Sequence, residues 1–160
     1  MNINPTRLQQ HFEAMSLIGK IGETGTCRPT MTVLEKEAFL LAASWMQEAG
    51  MKTHIDHFGN LIGRLEGQDP ALPVLMIGSH LDSQPYGGRF DGVAGVLCAI
   101  EAVKAFTEQG LVSQRSIEVV SFADEEGWRF TKGLFGSRGI LGKLEPGELQ
   151  RTDKDGITRE

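Results

Sequence analysis

The sequence predicts an α/β fold with a mostly parallel sheet flanked by helices. Two short apolar runs, residues 74–78 and 116–123, are typical of buried strands. The segment between them, residues 92–108, repeats apolar side chains at helical spacing. Successive β–helix–β units of this kind imply a mostly parallel sheet that helices cover. A chain of 160 residues is long enough for one domain with its own core.

The N-terminal segment predicts one helix followed by a loop. Asn4 suits the position that caps a helix, and Pro5 suits the first helical position, where no backbone N–H is needed. Apolar residues then recur as they do on one face of a helix. Residues 19–29 contain three glycines and a proline, a composition that is typical of a loop.

A second helix and a β segment follow this loop. Thr32 and Glu35 form a capping box, in which a hydroxyl and a carboxylate satisfy free backbone donors at the start of the helix. Gly50 ends the helix, because glycine adopts the left-handed conformation there without strain. Residues 52–56 and 61–65 then predict two strands, or one kinked strand.

The next helix begins beside an acidic residue, and the next strand ends at three more. Asp91 stands where its side chain would cap the helix. The strand of residues 116–123 is followed directly by the acidic residues 124–126. Further along, glycines interrupt the pattern, and the polar tail of residues 150–160 has no apolar stripe.

Composition and charge exclude several classes of partner. The net charge is −5, which argues against nucleic acid and anionic membranes, because both bind basic surfaces. The N-terminus has no signal-peptide pattern, and no apolar run approaches the roughly 20 residues that span a bilayer. Cys27 and Cys98 suit a reducing compartment, and Cys98 falls in an apolar helical stretch where a buried thiol is expected. We therefore predict a soluble, cytoplasmic protein.

Ionisable side chains gather at the predicted carboxyl ends of the strands, where sites form in open α/β sheets. His80 would offer an imidazole nitrogen to a metal, while Asp82 accepts the proton on the other nitrogen. Asp91 can bridge two cations, because a carboxylate has two oxygens. Glu125 and Glu126 are adjacent and would divide the work between metal binding and general-base catalysis. Together these residues predict a two-metal hydrolase.

Four further residues have weaker claims to a function. His54 and His57 are three positions apart in a predicted strand, so they face opposite sides and do not share a metal. We interpret them as exposed imidazoles of an edge strand. Arg28 and Arg89 either approach a substrate or pair with acids, and we favour the structural role.

These motifs resemble the N-terminal part of the dinuclear metallohydrolases of the M20 type. The sequence is most similar to the amidase/hydantoinase/carbamoylase branch, which contains N-carbamoyl-L-amino acid hydrolase, β-ureidopropionase and allantoate amidohydrolase. The loop of residues 87–92, Gly-Gly-Arg-Phe-Asp-Gly, favours this branch over the related peptidases and deacylases. The resemblance extends over nearly the whole chain, with matches at Gly59-Asn60-Leu61, residues 78–92, residues 119–130 and Gly136-Ser137.

The resemblance implies a role for each residue of the cluster. His80 would bind one metal ion, Asp91 would bridge both, and Glu126 would bind the other. Glu125 would be the general acid–base, and Asp82 the supporting acid. The family hydrolyses C–N bonds of carbamoyl, ureido or amide groups with two divalent ions. The ligand types do not choose between Zn, Mn, Co and Ni.

The resemblance also implies that the chain is incomplete. Family enzymes are longer, with further histidine ligands and an inserted lid and dimerisation domain, whereas His80 is the last histidine here. We therefore expect residues 1–160 to form an incomplete, zinc-peptidase-like catalytic domain that lacks the lid. Such a truncated chain would have no independent catalysis.

In full-length form, the resemblance implies a homodimer that acts on a small ureido or carbamoyl amino acid. Two alternatives stay open from the residues alone. The first is a non-catalytic folded remnant that binds metal weakly. The second is a fragment of an M20-type aminopeptidase or deacylase.

Overall fold

The predicted α/β class is confirmed in the computed structural model, which describes residues 2–159. Within residues 2–159 there are two sheets, one with three strands in the order β1-β2-β6 and one with four in the order β3-β4-β7-β5. Along the chain the elements are α1 (Pro5–Leu17), β1 (Lys20–Ile21), β2 (Gly25–Arg28), α2 (Val33–Glu48), β3 (Lys52–Ile55), β4 (Leu61–Leu65), β5 (Leu75–His80), β6 (Ser83–Gly88), α3 (Val93–Glu108), β7 (Ile117–Phe122) and α4 (Phe135–Ile140).

The four-stranded sheet is mixed, which corrects the expectation of a mostly parallel one. Strands β3 and β4 pair antiparallel, as do β4 and β7, and β5 and β7 run parallel. The parallel pair is the predicted β–helix–β unit, since α3 connects its two strands. Strands β3 and β4 are joined by a short turn, and antiparallel strands need no crossover helix.

Helix starts follow the predicted caps at α1 and α2, but not at α3. The Asn4 side chain accepts a hydrogen bond from the first turn of α1 at 3.1 Å. The Thr32 hydroxyl accepts from the Glu35 amide at 3.4 Å. Helix α3 is preceded instead by Gly92, with φ of +65° and no side-chain cap. The prediction that Asp91 caps this helix is therefore wrong, and its carboxylate is not used by the helix.

Two strands lie in the segment that the sequence predicts as a loop. Strand β1 has only two residues, and β2 pairs with β6 through a register shift between Thr26 and Arg28. Strands so short and irregular give no alternation of apolar and polar residues, so the glycines dominate the sequence pattern. This small sheet brings the loop that follows His80 against the N-terminal segment.

Helices α2 and α3 contact each other and cover one face of the four-stranded sheet, while α1 packs on α3. No helix within residues 2–159 is long and apolar enough to cross a membrane. The core between the helices and the sheet includes the buried residues Ala38, Ala42, Met46, Leu61, Val96, Leu97, Ile100 and Val119.

The start of the apolar run that contains strand β5 is exposed, although the run predicts a buried strand. Val74, Leu75 and Met76 are 37%, 47% and 38% exposed. The reason is topological, because β5 is an edge strand whose one neighbour in the sheet is β7. Cys98 of α3 is also exposed, which corrects the prediction of a buried thiol.

Candidate active site

His80 ends strand β5 and is 6% exposed. Its Nδ1 atom lies 3.0 Å from the backbone oxygen of Asp82. A carbonyl oxygen only accepts hydrogen bonds, so Nδ1 carries a proton and Nε2 is the nitrogen that can lose one. Gly92 leaves room for the ring, because a Cβ atom at that position would lie 2.5 Å from the imidazole. The fold thus presents Nε2 in a fixed orientation.

Two of the predicted carboxylates face that nitrogen. His80 Nε2 is 3.5 Å from Glu125 Oε2 and 3.9 Å from Asp91 Oδ1. Glu125 follows strand β7, and Asp91 precedes helix α3. The carboxyl ends of β5 and β7 thus bring His80 and Glu125 together, and the segment before α3 places Asp91 beside them.

The Asp82 carboxylate lies closer to the backbone of the acidic turn, residues 124–126, than to the imidazole of His80. Its two carboxylate oxygens accept hydrogen bonds from the amides of Glu125 and Glu126, each at 3.2 Å. The distance from Asp82 Oδ1 to His80 Nδ1 is 3.5 Å, which is long for a hydrogen bond but close for an ion pair. Asp82 is 2% exposed, so both interactions occur away from water.

The charges of the cluster shift the pKa of two of its members. Burial alone would lower the pKa of His80, but hydrogen bonding to Asp82 and the charges of Asp82 and Glu125 outweigh it and raise the pKa to about 9. Burial raises the pKa of Glu126, and the carboxylates of Asp91, Asp82 and Glu125 raise it further. A site that crowds carboxylates around one imidazole is short of positive charge.

The donor set fits a divalent cation in kind. An imidazole nitrogen and several carboxylate oxygens are the ligands that zinc and manganese take in proteins. Glu126 Oε1 is buried without a hydrogen-bond partner among the described residues, as a ligand atom without its ion would be. However, no three His, Cys, Asp or Glu side chains within residues 2–159 are arranged to hold an ion by themselves.

The residues with weaker claims to a function lie in positions that suit a structural role. His54 and His57 are exposed, and His54 belongs to the edge strand β3, as predicted. The buried Arg28 guanidinium donates to the backbone oxygens of Leu81 and Ile18, at 2.8 and 2.9 Å, which confirms its structural role. Arg89 is exposed, and its guanidinium carbon lies 4.9 Å from the ring centroid of Phe90.

Several residues that support the site are not evident from the sequence. Asn60 Oδ1 accepts from the Ala123 amide at 2.9 Å, where β7 ends. Asp124 is fully buried and pairs with Arg159, from the tail that has no sequence pattern. The Gly-Asn-Leu motif marks Asn60 as unusual, but nothing in the local sequence indicates a partner for Asp124.

Comparison with known proteins relates the chain to one group of metallohydrolases. Residues 60–154 match the model of Peptidase family M28. An N-carbamoyl-L-amino-acid amidohydrolase of Pseudomonas sp. (strain NS671) is 51% identical over 159 residues, which are 99% of this chain and 38% of the relative. An allantoate deiminase of Arabidopsis thaliana is 35% identical over 88% of this chain and 28% of its own length.

A solved structure agrees with these similarities. The crystal structure of a hydantoinase/carbamoylase family amidase from Burkholderia ambifaria matches with a TM-score of 0.93 and 39% identity. The match covers 98% of this chain and 38% of the amidase. The chain thus spans well under half the length of these relatives.

Proposed function

Since the chain belongs to Peptidase family M28, within the M28/M20-like hydantoinase/carbamoylase group, we propose that it forms part of a metal-dependent amidohydrolase. The proposed enzyme hydrolyses linear C–N bonds in N-carbamoyl amino acids or ureido acids. The observation that supports this most is the convergence of Asp91 and Glu125 on His80 Nε2 at the ends of the parallel strands. The names of the relatives supply the substrate class.

Each residue of the cluster has a proposed task. His80 Nε2, Asp91 and the unpartnered oxygen of Glu126 would hold divalent ions, whether Zn, Mn, Co or Ni. Such ions, when bound, polarise the substrate carbonyl and lower the pKa of water. The water then loses a proton readily and becomes a nucleophile that can attack the carbonyl carbon. Glu125, with its side chain 33% exposed, takes a proton from the attacking water and returns it to the leaving nitrogen. Asp82 keeps both glutamates in place.

Two ions need more ligands than these three side chains provide, because each ion takes four or more donors. We therefore propose that residues 1–160 are an incomplete catalytic domain, which needs further polypeptide to become active. That polypeptide would supply the remaining ligands, the lid and the surface of a homodimer. We place the enzyme in the cytoplasm, where the free thiols of Cys27 and Cys98 are stable.

Metal binding by the chain itself is the first test. Calorimetric titration of the 160-residue protein with Zn²⁺, Mn²⁺, Co²⁺ and Ni²⁺ is expected to show weak binding that chelators reverse. The variant His80→Ala should abolish it, while His54→Ala, at an exposed imidazole of β3, should leave it unchanged. Binding that survives His80→Ala would contradict the proposed site.

Activity is tested in a chimera that joins residues 1–160 to the remaining portion of the Pseudomonas relative. With added metal it should release ammonia from N-carbamoyl amino acids, ureidopropionate or allantoate. The matched variant Glu125→Gln should lose at least about 100-fold in kcat, the usual contribution of a general base. Hydrolysis of dipeptides without hydrolysis of carbamoyl amino acids would favour an aminopeptidase instead.

A further inference from the structure

Arg159 is enclosed by the protein, although it lies in a polar tail. Its side chain is 0% exposed. The tail returns to the body of the protein at this point, because the Arg159 amide donates to the Leu149 oxygen at 3.2 Å and Nη1 donates to the Glu148 oxygen at 3.2 Å. A fully buried arginine needs an anionic partner and several acceptors, since its charge is never lost.

The guanidinium finds its partners in the segment that follows strand β7. Arg159 Nε donates to Asp124 Oδ2 at 3.1 Å, and Nη2 donates to the same oxygen and to the Lys132 backbone oxygen. The rings of Phe130 and Phe135 lie on it, with centroids 4.6 and 4.5 Å from Cζ. Four residues of one segment, 124–135, therefore meet at a single side chain.

Asp124 has a backbone conformation that needs such support. Its φ is +50°, in the left-handed region, which aspartate enters more readily than most residues with a side chain but still uncommonly. Thr131 and Leu134 of the same segment also have positive φ values, of 63° and 59°. Strained residues persist where the surrounding structure holds them, and they gather at functional sites. Asp124 is next in the chain to Glu125, so its conformation sets the direction in which the acidic turn leaves the strand.

We propose that Arg159 is a positioning residue for the candidate active site. By pairing with Asp124, it holds the turn in the conformation in which the amides of Glu125 and Glu126 reach the Asp82 carboxylate and the Glu125 side chain faces His80. Among residues 2–159, the Arg159 side chain forms no hydrogen bond or ion pair with the Glu125 or Glu126 side chain or with the imidazole of His80. Its importance for catalysis rests on the proposed function, but its effect on the turn does not.

Amide hydrogen exchange measured by NMR tests the positioning directly. In Arg159→Met the amides of Glu125 and Glu126 should exchange about tenfold faster relative to those of strand β7, because the turn opens locally. The matched control is Arg7→Met, which also deprives a buried carboxylate, that of Glu101, of its arginine but lies on helix α1. It should not change the ratio of turn to strand exchange rates.

The variant Arg159→Lys covers the case in which Arg159→Met does not fold. Lysine keeps the charge beside Asp124 but lacks the planar set of donors, so the turn amides should exchange at an intermediate rate. If the turn amides keep their wild-type protection in every Arg159 variant that folds, relative to β7, the proposal is wrong. If neither variant folds at a temperature where Arg7→Met is folded, Arg159 is a general stability residue and the proposal is also wrong.

Metal affinity gives the second readout and separates this inference from the proposed function. Zn²⁺ should bind about tenfold more weakly to the Arg159 variants than to wild type and Arg7→Met, an effect typical of residues that orient ligands. If wild type binds no Zn²⁺, the proposed function fails, while the exchange rates still decide the positioning role. If wild type binds Zn²⁺ and the folded Arg159 variants bind it equally well, the positioning role is refuted and the metal site stands.

Discussion

The candidate site has an exposed wall, formed by Asp91, and a buried wall, formed by Asp82 and the turn of residues 124–126. The two walls are built in opposite ways. On one wall, the Asp91 side chain is 61% exposed, and helix α3 does not use it as a cap. On the other, Asp82 is 2% exposed and joins the buried end of β5 to the turn after β7. From this difference in burial we infer that folding alone fixes the buried wall, whereas the exposed Asp91 side chain has more freedom to adjust to a ligand. Substitutions in the buried wall should therefore change mainly the stability of the protein, whereas substitutions in the exposed wall should change mainly ligand binding.

The largest effect is expected for Asp82→Ala, which breaks the buried wall. The variant removes the acceptor of two turn amides and one of the two carboxylates that lie 3.5 Å from the buried His80. Breaking a buried charge pair in this way should lower the free energy of unfolding by about 3–5 kcal/mol. Urea denaturation followed by circular dichroism measures the change.

The control for that variant is Asp69→Ala. Asp69 is exposed and also accepts a backbone hydrogen bond, from the Ala71 amide at 2.9 Å. Its loss should cost about 1 kcal/mol or less. Equal costs for Asp69→Ala and Asp82→Ala would contradict the comparison, because burial would then make no difference.

A pH-dependent effect of similar order is expected from Glu35, which is 5% exposed and faces the charges of the buried wall. Burial raises the pKa of Glu35 to about 8, and the charges of Asp82 and Asp124 add to the rise. Because the folded protein holds this proton more tightly than the unfolded chain, its contribution to stability is complete below about pH 4.5 and is lost as the pH rises through 8.

The variant Glu35→Gln should therefore be more stable than wild type at pH 8, on the order of 3 kcal/mol, and lose the difference toward pH 5. Thermal unfolding at a series of pH values measures it. The control Glu37→Gln changes an exposed glutamate of the same helix and should follow the wild-type curve. A wild-type stability that does not fall between pH 5 and 8, relative to Glu35→Gln, would exclude a protonated Glu35.

A smaller effect is expected at Glu126, the member of the buried wall that would bind metal. Burial raises its pKa, and one oxygen lacks a partner among the described residues, so its charge opposes folding above its ordinary pKa. Glu126→Gln should stabilise the metal-free protein by less than about 1 kcal/mol at pH 8, because Glu126 is only half-buried and solvent screens its charge, and it should weaken Zn²⁺ binding. Chemical denaturation with a chelator present measures the first effect. A loss of stability would show that the carboxylate has a structural partner.

The smallest effect on stability is expected at the exposed wall. Asp91→Asn should change the free energy of unfolding by less than about 0.5 kcal/mol, as surface substitutions do. The same variant should weaken Zn²⁺ binding at least about tenfold, because the amide lacks the charge of a bridging ligand. Calorimetry and denaturation of one preparation give both numbers. Loss of stability together with binding would remove the distinction between the walls.

Much of this arrangement follows from local sequence signals. Asn4 and Thr32 mark their helices because each side chain caps a backbone that lies beside it. His80 and Glu125 meet because two apolar runs joined by a helix must form parallel strands with their ends at one edge. Signals that depend on neighbours in the chain thus predict helices α1, α2 and α3 and the meeting of His80 with Glu125, but not helix α4.

The rest depends on contacts between distant parts of the chain. The capping role predicted for Asp91 is wrong because Gly92, with its positive φ, starts the helix. The start of strand β5 is apolar yet exposed because β5 lies at the edge of the sheet beside β7, and its place in the sheet depends on that pairing. The role of Arg159 depends on Asp124, which lies 35 positions earlier. No periodicity or local motif records such a pairing.

The hydrogen bonds that two successive amides donate to Asp82 have a consequence for how the site can change during evolution. Because one carboxylate accepts hydrogen bonds from both peptide units, the backbone of Glu125 and that of Glu126 are tied to the end of β5 as one unit. A displacement of β5 would therefore move the backbone of both residues together. The surroundings of the turn can then change during evolution while the relative placement of these two peptide units stays the same.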